Sequence, residues 1–140
     1  MNQTDAIDLV LRLSDRVRKE KNHACYEHEY MTDEKLMQRV ILGKQSGKSC
    51  FNKDIDIQGV ICDMLESSGD IIKWLRDVNS DKYLQIEEEM PNCGRKYLRS
   101  KNHNWEDGAI TCDKVILILV KDTDLAGGVE RIDVVTCYPS

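Results

Sequence analysis

The chain has 140 residues, 41% of them apolar and 32% charged, enough for one domain with a sizeable core and too apolar for disorder. Its net charge of −5 works against a nucleic-acid ligand held by bulk attraction, and no apolar run approaches the roughly 18 residues of a membrane span. The opening Met1 to Val10 has no basic stretch before a hydrophobic core, so the expectation is a cytosolic protein or a fragment of a larger exported one.

Residues 4–20 read as a helix. Thr4 is placed to cap it, Asp5 and Asp8 suit its positive end, and the basic run from Arg16 to Lys21 suits the other. Ile7, Val10, Leu11, Leu13 and Val17 form a broad apolar face for packing. Asn22 to Met31 breaks the pattern, reads as irregular, and holds His23 and His28. Thr32 then caps a second helix, with Leu36, Met37, Val40 and Ile41 on one face and an end near Gly43. Arg39 leaves that helix at the edge of its apolar stripe. Gly43 to Ser49 reads as loop and Ser49 to Phe51 as a short extended piece. Asn52 or Asp54 is placed to cap a third helix through Ile57, Val60, Ile61, Met64 and Leu65. Gly69 interrupts it, and Asp70 to Val78 makes a fourth.

The period then changes. Tyr83, Leu84 and Ile86 suggest a strand, Pro91-Asn92 a turn, and Cys93 to Leu98 a second strand. A polar excursion over 99–108 contains His103 and Trp105. Val115 to Val120 is a continuous apolar run, the pattern of a strand covered on both faces. Lys121 to Val129 returns the chain antiparallel into a last strand, where Thr136 and Tyr138 share one face and Cys137 takes the other. Helices first and strands second, without βαβ alternation, make the fold α+β: an N-terminal helical lobe against an antiparallel sheet.

Six cysteines (25, 50, 62, 93, 112 and 137) are scattered one per element, which predicts buried thiols and at most one disulfide. No paired ligands at short spacing suggest a metal, and no cofactor is expected. Gly43 to Ser49 imitates a phosphate-binding loop, but three residues rather than four separate its glycines. Local basic groups occur at Lys44, Lys48 and Lys53 and at Arg95, Lys96, Arg99 and Lys101. Metal-free cleavage of RNA needs a base for the 2′-hydroxyl, an acid for the leaving 5′-oxygen, and a cation with hydrogen-bond donors around the phosphorane. A histidine, Arg39, Thr136 and Tyr138 supply those groups.

The order of these pieces resembles the ribonuclease-A-like toxin domains at the C-terminal ends of bacterial contact-dependent growth-inhibition proteins and other polymorphic toxins. The resemblance runs from about residue 22 to 140, leaving the helix of residues 1–21 outside it. It takes in His23, Glu27-His28, Leu36 and Arg39, Ser49-Cys50-Phe51, Ile72 to Leu75, Gly94-Arg95, Val115 to Val120 and the ending Thr136-Cys137-Tyr138-Pro139. In such domains the functional residues are a histidine, an arginine eleven residues later, and the terminal threonine and tyrosine. That spacing selects His28 with Arg39 over His23, which stays the second choice. Cys137 stands where alanine is common, on the opposite face. The resemblance implies one metal-independent endoribonuclease domain over 1–140, with catalytic His28, Arg39, Thr136 and Tyr138, and Lys48, Ser49 and Arg95 against the substrate. It also implies 2′,3′-cyclic phosphate products, delivery as the end of a larger exported protein into a target cell's cytoplasm, and a cognate immunity protein as the partner of an otherwise monomeric domain. The other reading of the same fold is a cytosolic interaction module without catalysis.

Overall fold

A computed structural model describes residues 1–21, 23–43, 47–98 and 108–140, with the side chains of all of these except 23 and 24. The elements run α1 (Gln3–Lys19), α2 (His23–Glu27), α3 (Asp33–Leu42), β1 (Gly47–Phe51), α4 (Ile57–Ser67), α5 (Gly69–Arg76), β2 (Tyr83–Leu98), β3 (Ile110–Thr123) and β4 (Val129–Pro139). The strands form one antiparallel sheet in the order β1-β2-β3-β4, so the fold is α+β as the sequence predicts. No described helix is long and apolar enough to cross a membrane.

Several local expectations are corrected. Asn2 rather than Thr4 caps α1, accepting from the Asp5 N–H at 2.8 Å. The stretch read as irregular contains the short helix α2. Asp56 caps α4 through the Gly59 N–H, because Asn52 is used elsewhere. Pro91-Asn92 does not turn the chain. Asn92 adopts φ 54°, donates its N–H to Asp113 Oδ1 at 2.8 Å, and β2 continues through it as one strand. Thr32 does cap α3, and the apolar run from Val115 lies in β3, an interior strand. His103, Trp105, Arg99, Lys101 and Lys44 lie outside the described residues.

The chain divides into two compact units. The first comprises Met1–Tyr26, Asp56–Ile86 and Leu117–Cys137. In it α1 buries Ala6, Val10, Leu13, Ser14 and Val17 and packs on α4, which buries Ile61, Cys62, Met64 and Leu65. The Ser14 hydroxyl and the Arg18 guanidinium donate to the Glu66 carboxylate at 2.9 and 2.7 Å. Gln58 Nε2 donates to the Val17 carbonyl at 2.8 Å, tying the two helices again. Lys121 is almost fully buried. Its ammonium donates to the Trp74 carbonyl at 3.2 Å and to Ser80 Oγ, stapling the C-terminal end of α5 where a cation suits the helix dipole.

The second unit comprises Glu27–Ile55, Glu87–Ile116 and Tyr138–Ser140. Leu36 and Val40 of α3 bury against Cys50 and Tyr97, with Met31, Met37 and Ala109 around them. β1 pairs antiparallel with β2 in the register Lys48↔Tyr97, Ser49↔Lys96, Cys50↔Arg95 and Phe51↔Gly94. The chain end is pinned. Ser140 N–H donates to the Lys114 carbonyl at 2.8 Å, and its own carbonyl accepts from Asp113 and Lys114 N–H.

Candidate active site

The second unit builds its site on the fixed edge of β1. His28 follows α2 directly, and its carbonyl accepts the Phe51 N–H at 2.9 Å, which laces the segment to the strand. Its ring Nδ1 lies 2.9 Å from the Ser49 carbonyl oxygen. A carbonyl only accepts, so Nδ1 carries the proton and the neutral ring keeps its lone pair on Nε2. Glu27 Oε1 lies 3.9 Å from Nε2. The side chain is only 12% exposed, so the ring is held rather than solvated.

Tyr138 is the second member. Its ring centroid lies 5.5 Å from that of His28 at an interplanar angle of 37°, a tilted aromatic pair. Two residues from a chain end a side chain ordinarily frays. Here the Ser140 backbone ladder and a close approach at Gly94 prevent it. A Cβ at Gly94 would stand 2.5 Å from the Cys50 carbonyl oxygen and 2.6 Å from the Pro139 ring, so only glycine admits the proline there.

The remaining predicted residues fall as follows. Arg39 lies in the last turn of α3 and is exposed; its guanidinium makes no hydrogen bond or ion pair with other described residues. Lys48 is half-buried on β1, and Ser49 beside it is buried at 8% exposure, contributing the carbonyl that orients His28. Arg95 is committed to the protein itself. Its guanidinium donates to the Met31 carbonyl, to Asn52 Oδ1 at 3.2 Å and toward Cys50 Sγ at 3.5 Å, and pairs with the Asp33 carboxylate. The side chain of His23 lies outside the described residues. Thr136 belongs to the first unit, where its Oγ1 is buried with no hydrogen-bond partner among the described residues. Neighbours along β4 alternate as a strand should, Cys137 and Pro139 buried and Thr136 and Tyr138 half-buried.

Two contributors escaped the sequence. The Ser49 carbonyl left no signal, because every residue carries one. Asn52 was read as a cap; in fact its side chain bridges, donating to the Asn92 carbonyl at 2.8 Å while accepting from Arg95.

The thiols of this unit are poor nucleophiles. Burial pushes Cys50 and Cys93 up, and Cys112 up to about 11, leaving little thiolate at neutral pH. All six cysteines are buried free thiols. Among the described residues no group of three or more His, Cys, Asp or Glu side chains is arranged to hold a metal ion. The arrangement that remains is an oriented imidazole beside a phenol, a pair able to accept and donate protons.

No family model and no curated protein matches this chain. Among solved structures, a chain of the CdiA-CT/CdiI complex from Y. kristensenii 33638 shares the fold, with a TM-score of 0.62 and 21% identity over 85% of this chain and 99% of that one.

Proposed function

We propose that the chain is a metal-independent RNA-cleaving toxin domain, and the observation that carries this reading is the His28–Tyr138 pair. His28, with its proton fixed on Nδ1 by Ser49, takes the 2′-hydroxyl proton on Nε2. The freed 2′-oxygen attacks the adjacent phosphorus, and the bond from phosphorus to the 5′-oxygen breaks. Tyr138 supplies a hydrogen bond or the proton to that leaving oxygen. The products are a 2′,3′-cyclic phosphate and a 5′-hydroxyl. Arg39 offers a planar fork for two phosphate oxygens, a geometry that lysine lacks. For Thr136 the role rests on the family resemblance alone; its Oγ1 is buried and has no hydrogen-bond partner among the described residues.

The shared fold with a chain of the CdiA-CT/CdiI complex supports placing the domain among contact-dependent growth-inhibition toxins, carried by a larger exported protein and acting in a target cell's cytoplasm. That complex also supports a dedicated protein inhibitor as partner. Incubating the purified protein with total RNA, with and without EDTA, tests the activity. Cleavage that survives the chelator and disappears in His28→Ala is the expected result. RNA left intact by folded parent protein would instead identify a non-catalytic interaction module.

A further inference from the structure

Two residues beyond His28, Tyr30 is 47% exposed, unusual for a ring whose neighbours are so firmly tied. The Arg95 guanidinium lies against it, 5.3 Å from the ring centroid. That guanidinium is immobilised by the Met31 carbonyl, the Asp33 carboxylate and Asn52 Oδ1, so the ring has a fixed cationic backing. The guanidinium sits over the ring while nearly half of the residue stays open to solvent. A rigid aromatic face is what an unpaired base stacks upon, and an arginine in the stack strengthens it.

We propose that Tyr30 is a base-stacking platform, a subsite for a nucleobase of single-stranded RNA beside the phosphate handled at His28. The inference rests on the RNA-cleaving reading and extends it to substrate binding. Two residues of chain span at most about 7 Å, a length that one nucleotide bridges between its phosphate and its base. Arg95 thereby acts through Tyr30 instead of touching RNA, consistent with its internal hydrogen bonds. The platform selects unpaired RNA over duplex, because a stacked base in a helix has no face to offer.

The test compares Tyr30→Ala, Tyr30→Phe and Tyr30→Trp in cleavage of a short unstructured oligoribonucleotide, and in its binding to the His28→Ala protein. Tyr30→Ala is expected to raise KM and weaken binding by roughly 5- to 100-fold, the loss of one stacked base, with kcat much less affected. Tyr30→Phe and Tyr30→Trp should stay close to the parent. Thermal melts should be alike for all, since the ring is exposed. If the parent cleaves and Tyr30→Ala keeps its KM, or Tyr30→Phe is as impaired as Tyr30→Ala, the platform is wrong and the catalytic reading stands. If the parent neither cleaves nor binds the oligonucleotide, both fall.

Discussion

His28 owes its orientation to a backbone carbonyl, and that makes its role separable from its packing. Replacing it with alanine removes one ring from a segment still laced to β1 through the His28 carbonyl and Phe51 N–H. His28→Ala should therefore keep the fold, with some stability lost along with the ring's packing and its bond to Ser49, while RNA cleavage falls roughly 10²- to 10⁴-fold, the usual contribution of a positioned acid–base group. An initial-rate comparison on one RNA checks this, and an unimpaired His28→Ala would move attention to His23. Thr136 allows a sharper separation. Its buried, unpartnered hydroxyl contributes nothing to stability in isolation, so Thr136→Val should be as stable as the parent or slightly more so. Its cleavage rate then tests the catalytic role that the family resemblance implies for it. Urea midpoints and rates measured on the same preparation distinguish the two effects; lost stability with unchanged rate would make Thr136 structural. The closeness of His28 and Tyr138 was legible in the sequence, but the groups that aim His28 were not. Ser49 acts through its carbonyl, and Asn52 through a bridge to Asn92 and Arg95, positions distant in sequence.

At the scale of elements, the closest fit is where the chain end meets β2. Gly94→Ala would drive a methyl into the Cys50 carbonyl and the Pro139 ring, and neither is the flexible end of a side chain. The expected cost is about 1–3 kcal/mol, as for other overpacked sites, read from urea unfolding. Cleavage should weaken too, because Tyr138 precedes the displaced proline; a variant as stable and active as the parent would refute this account of the terminus. The contact between α1 and α4 predicts a pH dependence. The hydrogen bonds from Arg18 and Ser14 hold the Glu66 carboxyl below the usual carboxylate range. A lowered folded value means that the unfolded chain takes up the proton first, so this stabilisation is present above about pH 4 and is lost as the pH falls through the folded value. Glu66→Gln should melt below the parent at pH 7, with the gap narrowing below about pH 4; a constant gap down to pH 3 would contradict the assignment. Helix α3 and the β3 core were readable because cap, stripe and apolar run are local signals. Pro91-Asn92 misled because its turn chemistry is local too, whereas the Asp113 side chain that keeps Asn92 in the strand comes from β3.

At the scale of the whole molecule, the acidic balance of the chain is compatible with the proposed RNA chemistry because local cations matter more than the sum. Arg39 is exposed without an acidic partner among the described residues, and Lys48 lies on the strand that orients His28. With so few cations in play, any binding of RNA should weaken only modestly with salt, because the slope scales with the number of phosphates neutralised. The α+β architecture followed from the order of helical and extended patterns, whereas the division into two compact units had no mark in composition. The central claim is that the neighbouring 2′-oxygen is the nucleophile. It is tested most directly by offering the protein two oligonucleotides of one sequence, one all-ribose and one carrying a single 2′-deoxyribose at the mapped cut. The account predicts that the first is cut to 2′,3′-cyclic phosphate and 5′-hydroxyl ends, in EDTA, and that the second is inert at that position. Equal cutting of both would contradict it.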